Sequence, residues 1–217
     1  MEQYIARMPE GQNAIYYAIG PTKALLDHSP QLEGLRGRGY EVLLMTDGVD
    51  QWAVEGLGEV NGKRLVNAME EGLALDGEQK DADGEDKKPE APADLKPLFA
   101  RCAEILNQHV SEVRASDRLT ESPVCLVQPK GGLPAHIERL MRVHQADMPA
   151  QKRILELNPK HTLITRMRDE HARDASSQKL TEWVEMLYDQ ALLSEGSPLP
   201  DPVRFAARVA ALMQTAS

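Results

Sequence analysis

Between Leu75 and Leu95 lie nineteen residues without one branched aliphatic or aromatic side chain, and no other stretch constrains the fold of this chain more. A segment that buries nothing has no favourable term to set against the entropy of ordering its backbone, so each flanking stretch must find its own core. The segment holds eight acids (Asp76, Glu78, Asp81, Asp83, Glu85, Asp86, Glu90, Asp94) against Lys80, Lys87 and Lys88, a balance of −5 within a total net charge of −9. Self-repulsion and the prolines at 89 and 92 predict an extended linker. Asp81, Asp83 and Gly84 fall in partial calcium-loop register, but the first ligand position is Gln79 and Pro89 adjoins the last, Glu90. A solvated linker is therefore the better reading. The expected organisation is an α/β part over 1–75, an acidic linker over 76–94 and a second part over 95–217.

Before the linker, strand-like and helix-like patterns alternate. Residues 4–8 and 14–19 read as strands, and Gly20-Pro21 opens a helix to about Asp27 with proline at its first position. Ser29-Pro30 starts another helix that ends in the glycine-rich stretch 36–39. Residues 40–46 are a short, nearly continuous apolar run, as expected of a strand covered on both faces. Residues 49–57 fit a short helix, and 59–66 a strand containing the Asn61-Gly62 turn signal. This alternation argues for a small α/β layer.

After the linker the period changes. Leu95, Leu98, Phe99, Cys102, Ile105, Leu106, Val110 and Val113 recur at helical spacing, predicting a helix of five turns with Cys102 as a buried hydrophobe. Strands are expected at 124–127 and 153–157, a helix at 134–144 between them, and a further helix beginning at Lys160 after the Asn158-Pro159 cap pair. The overall expectation is α+β, ending in a helical hairpin. In its first helix Leu180, Trp183, Val184, Leu187 and Ala191 form one stripe, which Met186, Leu192 and Leu193 widen. Asp201-Pro202 then opens a second helix in which Phe205, Val209, Leu212 and Met213 again spread broadly. Two apolar faces on one hairpin want cover, supplied either by a second copy completing a four-helix bundle or, in a monomeric helical cap, by the 95–170 core meeting the second face.

Chemistry is less well marked. The stretch 58–64 (GEVNGKR) lacks one residue between the glycines of a phosphate loop and has Arg64 where Ser or Thr would hold magnesium. The six histidines show no HExxH spacing, so no metal site is expected, and neither Ser122 nor Cys125 sits in a nucleophile motif. A net charge of −9 is the wrong sign for a phosphate-backbone binder, two cysteines make no disulfide framework, and no apolar run approaches a membrane span. A cytoplasmic protein without nucleic-acid or membrane partners is expected.

Longer strings say more. Glu10-Gly11-Gln12 with Ile15-Tyr16-Tyr17, then Ser29-Pro30-Gln31-Leu32-Glu33, then Glu41-Val42-Leu43-Leu44 with Asp47, Asp50 and Trp52, resemble in order the end of the middle domain of the bacterial heat-shock protein 90 family, of HtpG type. Past the linker, Arg118-Leu119-Thr120-Glu121-Ser122-Pro123, residues 153–161 (RILELNPKH), Glu182-Trp183-Val184-Glu185, residues 189–193 (DQALL) and Asp201-Pro202 resemble that family's C-terminal dimerisation domain. Two departures stand out. Gly48 and Gln51 replace an Arg and a Glu common beside the tryptophan, and the tail lacks the acidic pentapeptide with which eukaryotic cytosolic members recruit tetratricopeptide partners.

The resemblance implies a homodimeric, ATP-driven chaperone acting on non-native client proteins, with the seventy-kilodalton heat-shock chaperone system as a further expected partner. It places the ATPase domain, with its ATP and magnesium, upstream of Met1, so this chain is expected to hold no cofactor and no catalytic residue. It implies dimer contacts through Leu180, Trp183, Val184, Leu187, Ala191, Phe205, Val209, Leu212 and Met213. It also implies client contacts at Trp52, Leu133 and Leu140, with Ile137 and Met141 expected in the core. The competing expectation is a stand-alone dimerisation or regulatory module that lacks an ATPase.

Overall fold

The computed structural model describes residues 1–73, 90–144 and 151–215. It is α+β, built around two sheets that each carry their own apolar cluster. The chain opens with helix α1 (Glu2–Arg7), where a strand was expected. Glu, Gln, Ala and Arg are good helix formers, and the one core contact, Tyr4, needs no strand to reach its partners. Its hydroxyl donates to the Glu41 carbonyl at 2.5 Å and accepts from the Gln12 side chain at 2.8 Å and the Tyr16 amide at 3.1 Å.

Strand β1 (Ala14–Ile19) is central to the first sheet. Thr22, rather than Pro21, caps α2 (Lys23–Asp27), and a 3-10 turn at Pro30–Leu32 leads into α3 (Glu33–Gly37). Strand β2 (Val42–Met45) pairs in parallel with β1 but lies at the sheet edge, where it is half-buried rather than covered on both faces. Helix α4 (Asp50–Leu57) follows, then the hairpin of β3 (Glu59–Val60) and β4 (Lys63–Asn67), with β4 parallel to β1 on its other side. Asn61 and Gly62 turn this hairpin with φ of 51° and 76°, the pair of positive values that a two-residue type I′ turn demands. The stretch that loosely resembled a phosphate loop is this hairpin.

In the second part, α5 (Lys96–Ile105) is half as long as its periodicity suggested. Val110 and Val113 belong to β5 (Val110–Ala115), because β-branched residues gain more from pairing with a neighbouring strand than from extending a helix. Strand β6 (Val124–Val127), helix α6 (Ala135–His144) and strand β7 (Arg153–Leu157) follow, and β7 sits between β5 (parallel) and β6 (antiparallel). All residues of β6 and β7 are buried. His161 caps α7 (Thr162–Arg173), accepting the Leu163 amide at 3.1 Å, while Asn158 closes the turn before it through the Lys160 amide. Helices α8 (Gln178–Glu195) and α9 (Pro202–Thr215) complete the chain, with left-handed Gly196 ending α8. Cys102, Leu126, Leu155, Ile164, Met167, Leu180, Val184 and Leu187 meet in one core.

The seam between the sheets is fastened by polar groups gripping backbone. Gln128 and the 69–71 turn exchange two main-chain hydrogen bonds, of 3.0 and 2.8 Å, and Gln31 reaches the Leu126 carbonyl at 2.8 Å. Buried Arg118 donates to the carbonyls of Ala68 at 2.8 Å and Glu70 at 2.9 Å. The acidic stretch 76–89 lies outside the described residues, as do the calcium-register positions in it. Of its last residues, Ala91 packs on the second core and Asp94 pairs with Arg168 at 2.7 Å.

Candidate functional site

Three surfaces carry the candidate residues. On α4 only Val54 is buried, so the remaining apolar side chains of the helix face water. Trp52 is 65% exposed, with Val49 and Leu57 exposed beside it. An indole costs about as much to leave in water as any side chain, and here it forms part of a stripe at i, i+3 and i+8 rather than an isolated contact.

On α6, Leu140 is 60% exposed, and Met141, expected in the core, is also exposed. Leu133 and Ile137 are half-buried. Pro129 and the Gly131-Gly132 pair precede the helix, whose inner side is fastened. Buried Glu138 takes Arg153 at 2.8 Å and the Gln151 amide at 2.9 Å, and Arg139 donates to the Gly196 carbonyl at 3.2 Å. The partner, Arg153, sits on β7, and no local pattern could reveal it.

The C-terminal helices divide the remaining candidates. Leu180, Val184, Leu187 and Ala191 lie inside the chain's own core, with Trp183 half-buried against it beneath the Lys179 ammonium, 4.7 Å from the ring. Their stripe is thus covered by α5, α7 and the sheet. On α9, Phe205 is half-buried while Val203, Val209, Leu212 and Met213 are exposed, together with Leu193 of α8. Arg208 ties the two helices by pairing with Glu185 and, at 3.4 Å, with Asp189, and Arg204 adds a second contact to Glu185 at 2.8 Å. Burial pushes the Asp189 carboxyl up despite nearby Arg204.

Two polar clusters went unread in the sequence. Glu156, fully buried on β7, takes Arg114 at 2.7 Å, Arg118 at 3.1 Å and the Ser116 hydroxyl at 2.9 Å. Glu33, at the start of α3, accepts the amides of Thr120 at 2.7 Å, Glu121 at 2.9 Å and Ser122 at 3.2 Å. Burial pushes the Glu33 carboxyl up, but the hydrogen bonds from Ser122, Glu121 and Thr120 outweigh it and hold the group below the usual carboxylate range. The partners stand 87 to 89 positions apart, beyond any spacing rule. With their carboxylates engaged by these donors, both clusters hold structure.

The cysteines offer no reactive thiolate: burial pushes the Cys102 thiol up to about 12 and that of Cys125 well above its ordinary value. Among the described residues no group of three His, Cys, Asp or Glu side chains could hold a metal ion, and no helix is long and apolar enough to cross a membrane.

Exposed apolar side chains on α4, α6 and α9 are equipment of the kind that marks contact surfaces. Comparison with known proteins gives that equipment a family. The model of the family described as Hsp90 protein matches residues 1–217. A chaperone protein HtpG of Myxococcus xanthus is 49% identical over 216 residues, covering 98% of this chain and 32% of the relative. One from Geobacter sulfurreducens is 44% identical over 214 residues (98% and 33%), and one from Bdellovibrio bacteriovorus 42% over 219 (100% and 34%). The chain thus spans about a third of the length of these curated relatives. With a family model matched from end to end and relatives above 40% identity across nearly all of its residues, the chain belongs to the Hsp90 family.

Proposed function

We propose that this chain is the dimerising and client-contacting portion of a chaperone of the HtpG kind, divided into 1–75, an acidic linker at 76–94, and 95–217. The observation that carries the reading is the exposed apolar surface of α4 and α9 in a chain of this family. Under it, α9 presents Phe205, Val209, Leu212 and Met213, with Trp183 and Leu193 of α8, to a second copy. Leu180, Val184, Leu187 and Ala191 support α8 from behind. Each of the two helices is about 20–27 Å long, enough for a four-helix bundle to bury the roughly 1,200–2,000 Å² of a standard interface. Trp52 and Leu140, with Leu133 less accessible, contact non-native chains through several weak apolar contacts that demand no single sequence.

ATP and magnesium belong, in this reading, to a portion of the parent protein outside these residues, as does any hydrolysis. The proposed partners are a second copy, non-native proteins and the seventy-kilodalton heat-shock system. The chain's acidic balance disfavours nucleic acid.

Two variants test the reading. Val209→Asp with Leu212→Asp should yield folded monomers by light scattering at tens of micromolar, and a wild-type chain that is itself monomeric there rejects the dimer. Trp52→Ser with Leu140→Gln should lose suppression of a model client's aggregation at unchanged melting temperature. Retained suppression rejects the client surface.

A further inference from the structure

The surroundings of the α4 stripe say which non-native chains it suits. Between Gly39 and Lys63 the sequence has no Lys or Arg and five acids: Glu41, Asp47, Asp50, Glu55 and Glu59. Glu41 is neutralised by Arg7 at 2.8 Å. Among the described residues the other four make no ion pair; Asp50 accepts the Asp47 amide at 2.8 Å and Glu55 the Gln51 amide group at 2.6 Å. Asp47, Glu55 and Glu59 are exposed. The negative field extends beyond the helix: Glu70 on the neighbouring turn is pushed up first by burial and then, against Asn67 and Lys130, by Glu71 and Glu55. Tyr17 is pushed up to about 12 by burial and by Glu70 and Glu55. Trp52, Val49 and Leu57 are thus bordered by exposed carboxylates, while the cations Lys63 and Arg64 stand on the far strand of the hairpin, opposite Val60 and Glu59.

We propose that α4 selects cationic amphipathic segments, stretches of non-native chain in which large apolar side chains are bordered by lysine or arginine. The proposal rests on α4 being client surface and adds the class of client. The helix is about 12 Å long, so its carboxylates lie within roughly one or two Debye lengths of anything seated on the stripe. Apolar contact supplies adhesion, while the carboxylates supply choice: they draw in cations, speed encounter and repel acidic segments. A second copy of this chain, itself strongly acidic, is a poor occupant, and nucleic acid is a worse one.

Two unstructured peptides test it, sharing one central Leu/Phe sequence and flanked by four lysines or by four glutamates. Binding is followed by fluorescence anisotropy at low salt and at about 0.5 M, where the Debye length shrinks to roughly 4 Å. The lysine peptide should bind about tenfold tighter at low salt, with the preference collapsing at high salt. Asp47→Asn, Glu55→Gln and Glu59→Gln together should abolish the preference and keep the salt-insensitive residue of binding, whereas Trp52→Ser should weaken both peptides. Equal binding of both peptides to the wild type, with both weakened by Trp52→Ser, overturns charge selection and leaves the client surface standing. A lysine preference that the triple variant retains in full also overturns it. Binding untouched by Trp52→Ser, or no binding of either peptide, overturns the client surface on α4 and the proposal with it.

Discussion

Single residues at the seam carry unusual weight because each grips backbone. Glu33 satisfies three consecutive amides of the 120–122 turn, so Glu33→Gln removes a charge-assisted acceptor and should cost about 1 kcal/mol, the low end for such bonds given its partial exposure. The sign of the pH dependence follows from its depressed carboxyl. The stabilisation is present above the unfolded value near 4.3 and is lost as pH falls through the lower folded value. Denaturation midpoints of wild type and Glu33→Gln should therefore differ at pH 7 and converge in acid below about pH 4; a gap that persists or widens there excludes the carboxylate as the cause. Arg118 is a harsher case. Its removal leaves Glu156 with only Arg114 as ion partner and strips hydrogen bonds from the carbonyls of Ala68 and Glu70, so Arg118→Met should cost about 3–5 kcal/mol and lower the yield of folded protein. A melting temperature within a few degrees of wild type would contradict this.

At the scale of elements, helices and strands with strong local signals were readable and those defined by distant partners were not. The Asn61-Gly62 turn fixes its hairpin by backbone conformation alone, so Gly62→Val, which forces a β-branched side chain to a φ of 76°, should destabilise by about 1–2 kcal/mol in chemical denaturation. Residues 95–113 were misread as one helix because apolar spacing cannot distinguish a helix that continues from one that hands its valines to a sheet; pairing with β7, some forty residues later, decides it. The first helix of the C-terminal pair shows the same limit. Its apolar stripe is legible, yet which face meets the chain's own core and which meets water depends on α5 and α7. Leu187→Asp should accordingly unfold the second part, whereas Val209→Asp should keep the circular dichroism of a folded chain, its melting lowered only by loss of the proposed second copy. Equal damage from the two would mean that α9 is as much core as α8.

For the whole molecule, the apolar stretches that fill each sheet's cluster are legible in the sequence, but the seam between the sheets has no sequence signature at all. Limited proteolysis should cut first within 76–94, ahead of the docked Ala91 and in a stretch without branched aliphatic or aromatic side chains, and the cut pieces should still co-elute because Gln31, Glu33, Arg118 and Gln128 hold the sheets together. Separate elution would show the seam to be weaker than its bonds suggest. A grip on main-chain atoms has few rotamers through which to slip. A pull on α4 would then be handed on to the part that carries α8 and α9, whose Gly196 also lies against Leu25 and Pro21 of the first part. Paired spin labels at Gln51 and Arg204 should keep one narrow distance under load from a bound chain and broaden when Glu33→Gln loosens the joint. Under the proposed client role, such a joint would make this chain a lever with a stiff fulcrum, in which grasping and twisting are one motion.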